Sequence, residues 1–319
     1  MDLKNSCYIC KNSNITKFWP TVYNKDIFVY WCEDCNHGFL SPYMNEDEIK
    51  NFYENEYRKT FYSETPLFNT PNYVKKMLQH RGQWKHSNLW ANYILNNNKS
   101  AKSIMDLGSG FGPFADNIFE INKDIKISLI EPDIKNRELG QHYKEMYFFE
   151  NINTIIEKKI KFDVITAFHT FEHIKDPIKY LNNLKKILNE DGKIYIEVPD
   201  GEGIWFKKNF AHLAHPQIYS KYSITKLSSL SGFKVNSYFN PTDEIEKGQN
   251  LAVELIDYDK NKSFDDKLID KNDSLKNKFT KAEWTKKDHF YFCIKKILVF
   301  ILPLRISGLI ARTLQGLSK

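Results

Sequence analysis

The sequence predicts an α/β protein: a mostly parallel sheet with crossover helices, a small cysteine knuckle module before it and a helical tail after it. Three observations predict this. Residues 101–258 alternate short β-branched and aromatic runs with amphipathic helices, the pattern of strands joined by crossovers. The first of those runs passes directly into a glycine-rich turn, IMDLGSGFG at 104–112, where a backbone can approach a ligand without Cβ clashes. Four of the five cysteines stand as two C-x-x-C pairs within the first 45 residues.

Strands are expected at 103–107, 125–130, 162–167, 193–198, 233–239 and 251–256, with helices at 113–121, 133–145, 177–188 and 224–231. The helix at 177–188 puts Ile178, Leu181, Leu184, Ile187 and Leu188 on one side and Lys179, Asn183 and Lys186 on the other, a helical apolar stripe. Pro177 suits its first turn, and Gly192 lies beyond its end as a stop. The chain therefore divides at the sequence level into a zinc-ribbon module (1–45), a helical linker or lid (46–100), the α/β domain (101–258) and a polar linker with an apolar, basic helical tail (259–319). Aromatic stripes mark the second region: Phe52, Tyr53 and Tyr57, then Trp84, Leu89, Trp90, Tyr93 and Ile94.

Composition excludes several classes. Of 319 residues, 41% are hydrophobic and 15% aromatic, enough to build a core and too many for wholesale disorder. Five cysteines are too few for a disulfide scaffold. The opening MDLKNSCYIC has no apolar run of a signal peptide, so a reducing, cytoplasmic setting is expected. The net charge of +6 is carried almost wholly by Lys. Arg, the bidentate reader of phosphate and guanine, occurs only at 58, 81, 137, 305 and 312. A nucleic-acid surface is not expected from that charge.

Cys7, Cys10, Cys32 and Cys35 form two tight turns separated by 21 residues. Each turn offers two thiolates, and two turns complete the tetrahedral set of a Zn²⁺ ion. With four sulfur ligands no position is left for water, so the expected role is structural.

The glycine turn presents Asp106, Gly108, Gly110 and Gly112 between a strand and a helix. Pro113 stands where a dinucleotide fingerprint has its third glycine, and no G-K-[ST] follows, which excludes a P-loop. D-x-G-x-G-x-G resembles instead the class I S-adenosylmethionine-dependent methyltransferases, over about residues 80–258. The resemblance implies a Rossmann-like, seven-stranded sheet and S-adenosylmethionine as cofactor. It implies that Glu131, ending the second strand, holds the ribose hydroxyls, as a carboxylate can accept from both members of a cis-diol. By the same resemblance Asn151 and Ile152, after the third strand, contact adenine, and Phe168, ending the fourth, lines the cofactor site.

Methyl transfer to oxygen or carbon needs a positioned acceptor and a route for its proton. His169 and His173 follow the fourth strand, and His212 and His215 follow the fifth, at the carboxyl ends where ligands sit in open α/β sheets. Neutral imidazole suits proton removal near pH 7. A four-cysteine module fused to this fold is similar to the sugar C-methyltransferases acting on nucleotide-linked keto-deoxysugars and to polysaccharide-pathway relatives. That similarity assigns proton abstraction to His215 with help from His173. The family's Tyr-x-Glu-His run reads His212-Leu-Ala-His215 here, so the acceptor atom, carbon or oxygen, stays open. A sugar, nucleotide-sugar or glycan-type acceptor is expected. Two rival readings are a nucleic-acid methyltransferase and a non-catalytic zinc-ribbon adaptor. The chain reads AFHTFEH where base-amino methylation needs an Asn/Asp-Pro-Pro-aromatic loop, and its glycine motif is intact.

In the tail, ILVFILPL at 297–304 is too short to span a bilayer. Residues 304–317 can form a basic amphipathic helix, suited to peripheral contact with the inner membrane face or to docking on the core or a partner.

Overall fold

The computed structural model describes residues 6–20, 26–53, 70–140, 146–203, 213–246 and 249–258. Three short strands open it: β1 (Ile15–Pro20), β2 (Phe28–Cys32) and β3 (His37–Ser41). They pair antiparallel in order. One C-x-x-C precedes β1. The other turns between β2 and β3, where Asn36 takes a left-handed φ of 48° of the kind Asn tolerates in a tight turn.

Three helices follow. In α1 (Glu46–Asn51), Asn45 and Glu48 form a reciprocal capping box. Thr70 caps α2 (Pro71–His80), and α3 (Gln83–Asn97) begins after Gly82, which has a φ of 82°. Of the stripe read from the sequence, Trp90 and Ile94 of α3 are buried, together with Ala91, while Trp84, Leu89 and Tyr93 are half-buried. Tyr57 and the tail, 259–319, lie outside the described residues.

The larger sheet holds β4 (Ser103–Leu107), β5 (Lys126–Ile130), β6 (Tyr147–Phe149), β7 (Phe162–Phe168), β8 (Leu188–Pro199), β10 (Phe233–Ser237) and β11 (Asn250–Asp257), and β9 (Gln217–Ile218) lies elsewhere. Its order is β10-β11-β8-β7-β4-β5-β6. β4, β5, β6, β7 and β8 run parallel, while β11 is antiparallel to both its neighbours. The chain reverses direction across the sheet at β4, flanked by β5 and β7, and this switch point opens a crevice at the strands' carboxyl ends.

Helices cover both faces. On one pack α3 and α4 (Pro113–Ile121), through Trp90, Ile94, Phe114, Ala115 and Ile118. On the other pack α6 (Ile152–Glu157), α7 (Pro177–Lys186) and α8 (Lys221–Leu230), through Ile155, Leu181, Leu184, Ile224 and Leu227. α5 (Ile134–Gly140) meets α2 through Leu139, and α9 (Asp243–Glu246) is a short turn before β11.

Several boundaries differ from expectation for local reasons. α7 stops at Lys186, and β8 starts at once with Leu188, paired to Phe162. Gly192 is therefore inside a strand, and an added Cβ there would press on the Leu188 side chain. It is a packing glycine and not a helix stop. α8 starts at Lys221, three residues earlier than expected, because Ser220 and Ser223 cap it reciprocally. Of the helix expected at 133–145, Ile134–Gly140 is described.

One joint was invisible in the sequence. β9 leaves the larger sheet's domain and adds to β3 as the fourth strand of the small sheet. Gln217 locks it: its amide nitrogen donates to the Ile174 and Lys175 carbonyls, and its oxygen lies 2.7 Å from His37 Nε2. Since the amide oxygen can only accept, the His37 proton is on Nε2. Burial pushes His37 down to about 4, so it is neutral near pH 7.

Gln217→Ala would strand that buried N–H and two carbonyls. Each buried polar group left unpaired costs about 1–3 kcal/mol. Urea unfolding should show a loss of at least that size; a change under about 0.5 kcal/mol would mean that the joint carries no stability.

Candidate functional site

The glycine loop lies at the carboxyl end of β4. Gly108, Gly110 and Gly112 have φ of 68°, 56° and 76°, all in the left-handed region that glycine enters without penalty. Gly108 has a second constraint, since a Cβ there would collide with Thr170 Oγ1. Around Gly110 an added Cβ would meet nothing within 4 Å, so the loop faces open space at this residue. Beside it Ser109 Oγ is buried with no hydrogen-bond partner among the described residues. An open cradle with an orphaned hydroxyl fits a polar ligand such as an amino-acid-bearing nucleoside.

Glu131, just past β5, is buried under the loop. Its Oε2 accepts from Gly110 N at 2.7 Å and its Oε1 from Asp133 N at 2.9 Å. A carboxylate offers about four acceptor positions, so these bonds orient it toward the crevice without exhausting it. Burial raises its carboxyl above the ordinary value, with the two amides pulling it back. Asp106, one residue before the end of β4, is buried and accepts from Thr166 Oγ1 at 2.7 Å. Asn151 caps α6 through Thr154 N, and the Ile152 side chain is buried in the core. Phe168 stacks on Trp90, with ring centroids 4.6 Å apart, and meets Phe114 edge-on.

The histidines gather at the ends of β7 and β8. His169 holds a φ of 51°, uncommon for a residue with a side chain. Strain of this kind clusters at functional sites. A one-turn 3₁₀ helix, Phe171–His173, brings Glu172 between two imidazoles: 3.6 Å from His169 Nδ1 and 3.9 Å from His173 Nε2. Glu172 is 2% exposed, and its Oε2 lacks a hydrogen-bond partner among the described residues. His173 Nδ1 lies 2.6 Å from the Ala214 carbonyl, which fixes a proton on that nitrogen, and 3.1 Å from Tyr53 Oη. Its ring meets His215 edge-on at 4.7 Å. Burial lowers His173 below the ordinary imidazole value, with Glu172 pulling it back. His169, His173 and His215 are thus brought together; His212 lies outside the described residues.

Two further residues escaped the sequence reading. His86 in α3 and Glu197 in β8 meet at 2.7 Å, and the His86 and His169 rings are 6.0 Å apart. The only sequence signal was a carboxylate inside the apolar strand IYIEVP, where an unpartnered charge would be costly.

At the other end of the chain, Cys7, Cys10, Cys32 and Cys35 place their sulfurs within 4.8 Å of one another. Cys10 and Cys32 are 3.6 Å apart and the four are unbridged. Four thiolates about 2.3 Å from a central Zn²⁺ have tetrahedral edges of about 3.8 Å, so the donor set fits that ion. Hydrogen bonds among the sulfurs push Cys35 far up and Cys10 far down, as expected of thiols crowded around one cation position.

Comparison with known proteins bears on this geometry. A family model described as a methyltransferase domain matches residues 79–238, half of the chain. The chain belongs to the methyltransferase-domain family. Its seven-stranded sheet is the class I S-adenosylmethionine-dependent methyltransferase fold. The chain is 27% identical over 173 residues to a tRNA U34 carboxymethyltransferase of Campylobacter jejuni, covering 50% of this chain and 59% of the relative. This chain therefore spans about three fifths of that relative's length. An uncharacterized protein of Methanocaldococcus jannaschii is 24% identical over 203 residues, covering 61% of this chain and 80% of its own. Among solved structures, an S-adenosylmethionine-dependent methyltransferase from Clostridium acetobutylicum has a TM-score of 0.44 at 14% identity, over 55% of this chain and 92% of that one.

Burial pushes Asp106 from an ordinary 3.8 up to about 7, against the pull of Thr166. Between those values the folded protein holds a proton that the unfolded chain releases. Stability from this group is therefore lost as pH rises from about 4 to about 7, and the loss is complete above that. In Asp106→Asn the amide oxygen still accepts from Thr166 and no longer titrates. By urea unfolding this variant should exceed the wild type by a few kcal/mol at pH 8, since each tenfold change in proton affinity is worth about 1.4 kcal/mol, with the gap closing toward pH 5. A gap independent of pH would show that Asp106 does not titrate in this window.

Proposed function

We propose that this methyltransferase moves the methyl group of S-adenosylmethionine to a sugar, nucleotide-sugar or glycan-type acceptor, on oxygen or carbon, with histidine-assisted deprotonation. The observation that carries the reading is the meeting of His169, His173 and His215 at the carboxyl ends of β7 and β8, beside the glycine loop. An acceptor that must lose a proton needs such bases; an already nucleophilic sulfur does not.

The residues divide the work. Gly110 leaves room for the methionine part, Glu131 accepts from the ribose hydroxyls, and Asn151, Ile152 and Phe168 border the adenosine. Asp106 braces the loop from below through Thr166. When bound, the cofactor supplies an electrophilic methyl on a positively charged sulfur. His169, His173 and His215 hold the acceptor in line and handle its proton. The four cysteines hold a structural Zn²⁺ that folds the knuckle and so anchors β3 against β9. No helix among the described residues is long and apolar enough to cross a membrane. Peripheral contact through the tail, on residues outside the described set, remains part of the proposal.

The decisive assay offers a methyl-labelled donor to a nucleotide-sugar pool and, in parallel, to bulk tRNA. The second arm is chosen because the Campylobacter relative is named for tRNA. Label in the sugar pool is expected; label in tRNA alone would overturn the acceptor class.

Calorimetry tests the cofactor site. Gly110→Val should abolish S-adenosylmethionine binding, since its side chain fills the open cradle and strains a left-handed residue. Glu131→Ala should weaken binding by about 1–3 kcal/mol. Unchanged affinity in both variants would place the ligand elsewhere.

Metal analysis of protein purified without chelator should find about one zinc per chain. Cys32→Ser should lose it together with the knuckle's cooperative unfolding. A zinc-free, stable wild type would refute a structural metal.

A further inference from the structure

Two buried glutamates stand at the crevice, and the chain treats them differently. Glu197 is fully buried, and its carboxylate accepts from Trp90 at 3.0 Å, Asn240 at 3.1 Å and Thr242 at 3.2 Å. Glu172 is 2% exposed, yet its Oε2 has no hydrogen-bond partner among the described residues. Its Oε1 lies 3.6 Å from His169 Nδ1 and 3.9 Å from His173 Nε2, both beyond hydrogen-bonding reach. Lys175, three residues on, does not compensate it, because its Nζ donates to the Met44 carbonyl. A buried carboxylate without donors is costly. A cation at this position removes the cost.

His173 turns a second electron pair to the same place. Its Nδ1 donates to the Ala214 carbonyl at 2.6 Å, so in the neutral ring the lone pair is on Nε2, and Nε2 is the nitrogen that faces Glu172. A lone pair and a carboxylate set opposite each other repel unless a positive charge lies between them. A ring N–H given to a backbone carbonyl is also the arrangement that orients histidines toward metals. His215 completes the group. Glu172, His173 and His215 each offer one ligand atom, and the three atoms lie within 4.8 Å of one another. Around one ion at about 2.0–2.1 Å such ligands stand about 3.3 Å apart, so side-chain rotation closes the set. The backbone on both sides is already fixed: Gln217, two residues after His215, donates to the Ile174 and Lys175 carbonyls that follow His173. The other group of this kind, His86, His169 and Glu197, is built on the carboxylate that other side chains already satisfy.

We infer that Glu172, His173 and His215 bind a divalent first-row transition-metal ion. Two imidazoles and one carboxylate suit that class of ion. The four cysteines fill every position of their metal, whereas three ligands here leave positions open, so the ion exchanges with solution. Its use rests on the methyltransferase reading above: the open positions take an oxygen of the acceptor. His173 and His215 then hold the acceptor through the ion, and His169, with 43% of its side chain exposed, is left to take the proton.

The test is calorimetric titration of the full-length, zinc-containing protein with Mn²⁺ alone and, separately, with Ni²⁺ alone, which binds nitrogen-rich sites more tightly. About one ion per chain should bind. Glu172→Gln should weaken that binding at least tenfold, a loss that removal of a mere supporting group can already cause, while zinc content and S-adenosylmethionine affinity stay unchanged. His86→Asn should leave the metal affinity as it is. If Glu172→Gln fails to fold, wild-type crystals soaked in Mn²⁺ decide, and the anomalous signal of the ion should lie between Glu172, His173 and His215. Neither ion bound, wild-type affinity in Glu172→Gln, or an anomalous signal beside His86 and Glu197 instead would each overturn the site. A protein that binds the ion but not S-adenosylmethionine would overturn the methyltransferase reading and leave the metal site standing.

Discussion

The buried carboxylate of Glu197 is the constraint on which the crevice depends. An ionised group removed from water is tolerated only when donors replace the water. Those donors come from separate parts of the chain: Trp90 from α3, Asn240 and Thr242 from the turn before α9, and Asn250 from β11, with the His86 ring of α3 in close contact beside them. The Glu197 carbonyl also accepts from His169 N at 2.8 Å. One residue thus fixes the helix over the crevice, the antiparallel strand beside it and the backbone turn that carries His169. A hydrophobic residue there would fill the volume, but it would not specify where α3 sits over the strand ends.

A second constraint acts from the opposite side. The small sheet is completed by β9, so the knuckle is built into the wall that holds His215. Tyr43 Oη donates to the Leu213 carbonyl, Ser220 Oγ donates to the Asn36 carbonyl, and Gln217 ties His37 to residues 174 and 175. These bonds bracket 213–220 on the side of the cysteine turns. The segment carries little regular structure of its own, and a two-residue strand has no stability without a partner sheet. The knuckle supplies that sheet. Its mechanical role is to hold the His215 loop where the end of β7 can meet it.

Much of this was legible in the sequence where local physics decides. The glycine loop, β4 and α4 appear at the expected residues because strand periodicity, three glycines and Pro113 all agree over a dozen positions. The clustering of the four cysteines was legible because each C-x-x-C is a tight local turn, and the two turns bring their sulfurs within 4.8 Å of one another. What escaped depends on long-range pairing. β9 is two residues long and pairs with a strand nearly 180 positions earlier, so no periodicity could announce it. His86 and Glu197 are 111 positions apart, and only the finished sheet brings them within 2.7 Å. The helix stop read into Gly192 failed for a related reason: Phe162 recruits Leu188 into the sheet directly after the helix, and tertiary pairing overrides the local signal.

The two constraints converge on the turn after β7. Its carbonyl partner is on β8, its left-handed residue is His169, and Glu172 sits behind it with an oxygen that no described residue satisfies. A turn held from both sides can store a conformation that it would not adopt alone, at a cost of about 1–3 kcal/mol. That strain keeps the His169 side chain 43% exposed toward the crevice, close to His86 on one side and, through Glu172, to His173 and His215 on the other. The imidazoles therefore form a row along the strand ends, graded from a neutral, deeply placed His173 to a carboxylate-bound His86. Under the proposed acceptor chemistry, a row of that kind would separate two tasks that a single base would have to combine: holding the acceptor in line, and carrying its proton away from the newly formed bond.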